Sequence, residues 1–481
     1  MSVPAEAGKV RQHAAGWVRL PLLALGAICF VPLALTAPGR VGADTKTYLY
    51  LDPARLLSRA ASMWDPHVGM GTVTHQNIGY LFPMGPYYWL AEATGVPDWF
   101  AQRIWLGSIL FASGAGVWFL LREMGLSTPA RTAAMFTYAL TPYTLTLAAR
   151  ISVILLPFAA LPWLIALTAR AIRRGGWRDP AAFALVVVCV GGVNATALVF
   201  VGLGPLLWIL YTLVRKEASI RALAIVVARI GLLTLATSAW WLSGLWAQGA
   251  YGINILRYTE TAEAVASAAV AVEILRGLGY WFFYGGDRLG PWIEPGRMYT
   301  QRLWLLVVSF ALPTLALLAA AVTRWRERAY FVGLLCVGVF VSVAAHPWAN
   351  PSLAGRGWKA VLLSERGLAL RSTPRAVPLV ALSLAVLLGA GVAAVGTRLR
   401  DGRVWAVAAT VVALAVANMP ALFTGGMVAD NLQRPEVLPA YWTAAAAHLD
   451  QQGEATRVLE LPGVDFASYR WGSTVDPITP G

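Results

Sequence analysis

The sequence predicts an all-α, polytopic membrane protein of about eleven transmembrane helices, with large outer loops that carry interfacial helices. Three observations predict it. Of its 481 residues 58% are hydrophobic and only 13% charged, against about 25% charged in a soluble domain, and the mean hydropathy is +0.61. Apolar runs long enough to cross a bilayer recur along the chain. Lys and Arg gather in the short connections on one side of those runs, as the positive-inside rule requires. A soluble enzyme is excluded, and the net charge of +14 reads as a topology signal with no nucleic-acid partner behind it.

A spanning helix needs about 20 mostly apolar residues. Such runs lie at 17–37, 103–121, 132–148, 151–169, 222–246, 303–322, 329–345, 378–397 and 404–423. The stretch 181–214 has basic residues at both ends, Arg178 on one side and Arg215 and Lys216 on the other. Both ends therefore seek the same membrane face, and the stretch splits near Gly191–Asn194 into two short helices, with Asn194 satisfying the turn. The pair 132–148 and 151–169 turns at Arg150 in the same way. With the N-terminus cytoplasmic, the inner segments hold 19 Lys and Arg against 6 Asp and Glu, and the outer ones 19 against 18.

The expected domain division is a membrane part over 1–423, with outer loops at 38–102, 247–302 and 346–377, followed by the truncated start of a periplasmic domain over 424–481. In that tail a helix is expected over 436–451 and a strand over 456–461. Val41-Gly42-Ala43 resembles a signal cleavage site, but the preceding apolar run is long for a signal peptide and the chain re-enters the membrane, so retention is expected. The three cysteines lie inside apolar runs and form neither a disulfide framework nor a zinc spacing. No metal and no cofactor are expected.

The ionisable chemistry faces outward, since 18 of the 24 acidic residues lie in outer segments. The first outer loop opens Gly42-Ala43-Asp44-Thr45-Lys46, a carboxylate a few residues past the first helix. Asp52 and Pro53 read as the cap and first turn of an interfacial helix over 53–64, with Leu56, Leu57, Ala60, Ala61 and Trp64 on one face. The second outer loop predicts a helix from about 259 to 278 bearing Glu260, Glu263 and Glu273, an exposed acidic face. It continues through Tyr280–Tyr284 to Asp287, Trp292, Glu294 and Arg297. Aromatics beside carboxylates and arginines suit a sugar, and they equally suit an interfacial belt. There is no dinucleotide fingerprint, no phosphate loop and no His-Glu-x-x-His. An outward-facing enzyme without a nucleotide site needs its activated group on a lipid carrier, which points to transferases fed by polyprenyl-phosphate donors.

These features resemble the GT-C class of glycosyltransferases. The stretches Gly42–Pro53, His75–Trp89 and Thr456–Trp471 are similar to the actinobacterial α-(1→3)-arabinofuranosyltransferases. The resemblance implies a GT-C-like fold and inverting transfer of arabinofuranose from decaprenyl-phosphoryl-arabinose to an arabinan of arabinogalactan or lipoarabinomannan. It also implies an active site on the periplasmic face of the inner membrane. On that reading Asp44 is the general base. Lys46, Arg55, His75 and Arg297 are candidates for the donor phosphate and its lipid, with Arg59, Arg366, Arg371 and Arg375 as further basic residues near that surface. His67, Gln76, Asp287 and Glu294 are candidates for the acceptor sugar. A transporter or flippase of polyprenyl-linked glycans is the alternative; paired interrupted helices with charges at mid-membrane would mark it.

Overall fold

In hydrocarbon every backbone N–H and C=O must be bonded within its own segment, so the apolar runs have little choice but to become helices. The computed structural model describes residues 6–475 apart from 68–69, 75–76, 149, 255, 257–258, 288–289, 400, 454–456, 460 and 462–466, and for residues 6–19, 401, 467 and 475 it describes the backbone alone. The principal helices are α1 (Glu6–Ala34), α2 (Asp98–Glu123), α3 (Thr128–Ala139), α4 (Leu155–Arg174), α5 (Arg178–Gly191), α6 (Ala195–Val214), α7 (Ile220–Tyr251), α8 (Leu303–Val322), α9 (Arg328–Val343), α10 (Val377–Gly396) and α11 (Asp401–Ala417). Among the described residues six stretches are long and apolar enough to cross a membrane: Asp98–Glu123, Ser152–Arg174, Ala195–Val214, Ile220–Tyr251, Leu303–Val322 and Thr373–Gly396. Leu20–Ala34, α9 and Gly402–Ala417 are shorter apolar helices.

α4 and α10 form the centre, buried along most of their lengths. α7 stands at the rim with only Leu223, Val226, Ser238, Trp241 and Gly244 buried, so its remaining apolar surface is the lipid-facing kind. The split of 181–214 falls where expected. Asn194 caps α6, its Oδ1 accepting from the Ala197 N–H at 2.9 Å.

Several predicted elements need correction. The run 132–148 is not one helix: α3 stops at Ala139, and Pro142, with no N–H to donate, starts a separate short helix, Tyr143–Ala148. The interfacial helix capped by Asp52 ends at Arg59. Trp64 and Asp65 instead pair with Val73 and Thr72, and the chain reverses through Gly71 at φ +98° with the Trp64 ring against it. The helix expected over 259–278 breaks into Ala262–Ala268 and Ala271–Leu275, because Val270 is extended. In the tail the helix is Ala440–Asp450. The described part of 456–461 contains no strand; the strands lie later, at Ala467–Tyr469 and Gly472–Val475.

Strand β1 (Arg40–Gly42) leaves α1 and pairs antiparallel with β2 (Gln433–Pro435). The tail thus returns to the first outer loop. Thr47 donates from Oγ1 to the Thr474 carbonyl at 3.2 Å, which ties the last strand to the same loop.

Candidate active site

Asp44 follows β1 directly, and its surroundings explain its chemistry. It is 5% exposed. Its Oδ1 accepts the Ser152 backbone N–H at 2.7 Å, and the Ser152 hydroxyl also bonds the carboxyl. The Thr45 N–H donates to the Arg150 carbonyl at 2.8 Å. Asp44, through its side chain, and Thr45, through its backbone, are therefore clasped against the backbone of Arg150–Ser152, the turn between the Tyr143–Ala148 helix and α4. Tyr50 Oη donates to the Asp44 carbonyl at 3.0 Å, and Trp105 Nε1 holds Ser152 Oγ at 3.1 Å. Burial pushes the Asp44 carboxyl up to about 7, with the Ser152 bonds pulling the other way and only partly offsetting it. A carboxyl that titrates near neutrality and is fixed by its neighbours suits a general base.

α2 fixes β1 from below. Gln102 accepts the Gly42 N–H at 2.8 Å and donates back to the Gly42 carbonyl at 3.0 Å. Arg103, 2% exposed, donates to Gln102 Oε1 at 2.7 Å and to the Arg40 carbonyl at 2.8 Å. Its charge is spread over carbonyl acceptors, so Arg103 is an anchor for the loop. The next residue in the loop, Thr45, has φ +55°. A β-branched residue in the left-handed region is a strained one, and such strain is held only where the surroundings over-determine it. A small cavity lined by Gly42, Asp44, Gln102, Arg103, Leu106, Ala148, Met427 and Val428 opens beside the carboxyl.

The other side of the clasp carries a cation. The Arg150 guanidinium lies 5.8 Å from the Phe282 ring centre and 5.7 Å from that of Trp292. Trp292 is held by a bond from its Nε1 to Asp287 Oδ2 at 2.9 Å. Trp281 packs edge-on against Trp292 at 5.1 Å. The aromatic run of the second outer loop is therefore built into the protein as a wall beside Arg150, with Tyr280 and Phe283 buried.

Asp44 sits at this junction, and Asp287 reaches it through Trp292. Lys46 is half-buried on the turn that leads into the Tyr48–Leu51 helix. Arg55 is exposed on the Pro53–Arg59 helix, whose cap is the predicted Asp52, accepting from the Arg55 N–H at 2.8 Å. Arg59 is half-buried on the last turn of that helix. His67 is exposed on a turn in which Asp65 accepts its backbone N–H at 2.8 Å. Glu294 and Arg297 are exposed on one short turn of 3-10 helix beyond Trp292, and Arg366 is exposed as well. His75 and Gln76 lie outside the described residues.

The glutamates expected to form a solvated face do structural work in two cases. Glu260 accepts from Ser372 Oγ at 2.6 Å, and its carbonyl accepts from Arg371 Nε at 2.7 Å; Glu273 pairs with Arg276 at 2.6 Å. Arg375 reaches Asn194 Oδ1 at 3.3 Å. Arg150, Ser152 and Trp105 were not among the predicted site residues. One signal marked Arg150: it is the sole charged residue between Arg131 and Arg170, at a turn that the predicted topology puts on the outer side, where no positive charge is expected.

Comparison with known proteins gives the family and the fold. The family model described as alpha-(1->3)-arabinofuranosyltransferase, N-terminal GT-C domain, matches residues 27–480. The α-(1→3)-arabinofuranosyltransferase of Mycobacterium tuberculosis is 30% identical over 489 residues, covering 93% of this chain and 33% of that protein. Its counterpart in Mycolicibacterium smegmatis is 27% identical over 464 residues, covering 92% and 32%. The chain thus spans about a third of the length of these relatives. The cryo-EM structure of arabinofuranosyltransferase AftD from mycobacteria superposes with a TM-score of 0.74 at 23% identity, over 96% of this chain and 31% of that one. A mutant form of the same protein gives 0.74 at 23% identity, over 95% and 32%.

Proposed function

The chain belongs to the GT-C domain family of α-(1→3)-arabinofuranosyltransferases, a family of multi-pass membrane proteins, and on that premise we propose that it transfers arabinofuranose from decaprenyl-phosphoryl-arabinose to a hydroxyl of an arabinan acceptor. The acceptor belongs to arabinogalactan or lipoarabinomannan, and the reaction takes place on the periplasmic face of the inner membrane. The observation that carries this reading is the buried, clasped carboxyl of Asp44 at the mouth of the outer loops.

Asp44 takes the proton of the acceptor hydroxyl as that oxygen attacks the sugar C1. The bond from C1 to the phosphate oxygen breaks on the opposite face, inverting the configuration, and decaprenyl phosphate leaves with the bonding pair. The proton stays on Asp44 until it passes to water. The Ser152 N–H fixes one carboxylate oxygen, leaving the other as the base. Lys46, two residues away, is assigned to the anionic end of the donor. Asp287, bonded to Trp292 on the aromatic wall, is assigned to the hydroxyls of the acceptor sugar. The exposed Arg55 and Arg297 serve the donor, and His67 and Glu294 the acceptor, at the outer edge of the site.

Membranes carrying the protein test the reading with arabinose-labelled donor and an arabinan oligosaccharide. New labelled glycosidic bond is the expected result. Movement of intact lipid-linked glycan across the bilayer without bond formation is the contrary one, and would favour the transporter reading.

A further inference from the structure

We propose that Arg150 is the residue that holds the lipid-linked phosphate of the donor and of the leaving group. The inference deepens the glycosyl-transfer reading and rests on it. Arg150 has no ion pair within 4 Å among the described residues. Its Nε is buried with no hydrogen-bond partner, and so is Trp281 Nε1 on the same wall. Orphaned buried groups of this kind are costly, and each asks for an explanation. Here both are donors, so the missing partner is an acceptor.

The geometry narrows the ligand further. Phe282 and Trp292 cover the guanidinium, and Asp287 lies near enough to act on its charge without an ion pair within 4 Å among the described residues, so the N–H edge is the side assigned to the ligand. That edge is a planar fork matched to two oxygens of a phosphate, a match that a lysine ammonium lacks. The clasp then sets the register. Thr45 N–H bonds the Arg150 carbonyl and Ser152 N–H bonds Asp44, at 2.8 and 2.7 Å. The backbone that carries the cation is thereby locked to the loop that carries the base, and displacement at a sugar C1 needs such a pair, one group per face. The ligand class is an anionic phosphate ester on an apolar tail. Two membrane components share that chemistry, a polyprenyl phosphate and an ordinary anionic phospholipid, and the first is favoured because the backbone that carries Arg150 is bonded to the loop that carries Asp44.

The test is binding, measured on the 481-residue chain in phosphatidylcholine nanodiscs with farnesyl phosphate as probe and farnesol as the uncharged control. Farnesyl phosphate is expected to bind, and Arg150→Gln to weaken it at least tenfold while farnesol is unchanged. Arg150→Lys keeps the charge and loses the fork, so it is expected to fall between the two. Arg356→Gln, an exposed arginine on another element, should stay within twofold. Thermal unfolding checks the fold of each variant; if Arg150→Gln does not fold, Arg150→Lys decides. Unchanged affinity in the folded variant overturns the proposal. Equal competition by phosphatidylglycerol also overturns it, by making the site a general headgroup site. Intact binding with no transfer activity in the wild type would sink the transferase reading and leave the phosphate site standing.

Discussion

At the scale of the residue, Asp44 is a carboxyl kept from water, and its solvent decides its titration. Desolvation disfavours the charged form, so the folded protein holds the proton up to about pH 7, well above the ordinary aspartate range. A base must be ionised to act, so transfer should fall about tenfold per pH unit below that point. A rate profile for the wild type checks this, and an acid limb near pH 4 would contradict it. The same shift acts on stability with a definite sign. Between the unfolded and folded values the native state binds more protons than the unfolded chain, so stability declines as pH rises through that window. Asp44→Asn removes that slope, which thermal unfolding from pH 4 to 8 will register. Asp44 was legible in the sequence as an acid just beyond a first membrane helix. Its partners were not. Ser152 lies 108 positions away, and nothing local in Ile151-Ser152-Val153 distinguishes a hydroxyl that bonds a carboxylate from one that merely caps a turn.

At the scale of the element, hydropathy located the helices because the bilayer imposes their length, and it failed where a single residue interrupts them. Pro142 divides the run 132–148, and Val270 divides the acidic helix. These breaks shape the site: the short helix after Pro142 delivers Arg150, and the segment after Val270 delivers the aromatic wall. The close approach of two outer elements was equally hidden. Gly79 lies against the turn between α5 and α6, where an added Cβ would meet the Gly192 carbonyl oxygen at 2.4 Å. Neither backbone can yield without moving its element. Gly79→Ala should therefore lower transfer severalfold and destabilise by about 1–3 kcal/mol, the usual cost of overpacking; wild-type activity and melting would show that the contact is slack. Arg103 makes a matching prediction for α2. Arg103→Met keeps much of the bulk but takes its donor from the Arg40 carbonyl, while Gln102 Oε1 keeps only the Gly42 N–H, at a cost of about 1–3 kcal/mol for the orphaned carbonyl. A drop in melting temperature with loss of transfer is expected, and an unchanged protein would remove Arg103 as the anchor.

At the scale of the whole molecule, the +14 charge is explained almost entirely by topology under the proposed orientation, since the outer segments are nearly balanced. That placement was readable from the sequence alone, because Lys and Arg bias orientation through short loops. The return of the tail to the first loop was not, since β1 and β2 pair residues almost 400 positions apart. The orientation has its own check. A cysteine at Ser58 should react with a membrane-impermeant thiol reagent added outside intact cells, and one at Lys216 only after permeabilisation; the reverse pattern would invert the molecule.

The central claim is that a buried carboxyl clasped to Arg150–Ser152 is the base for glycosyl transfer. Its most direct test is the rate of labelled arabinose transfer from decaprenyl-phosphoryl-arabinose by Asp44→Asn, set beside the wild type at equal expression. Asn preserves shape and hydrogen bonding but cannot take a proton. The account predicts at least a hundredfold loss, in line with the ~10²–10⁴ that a general base contributes. Transfer within a few-fold of wild type would contradict it.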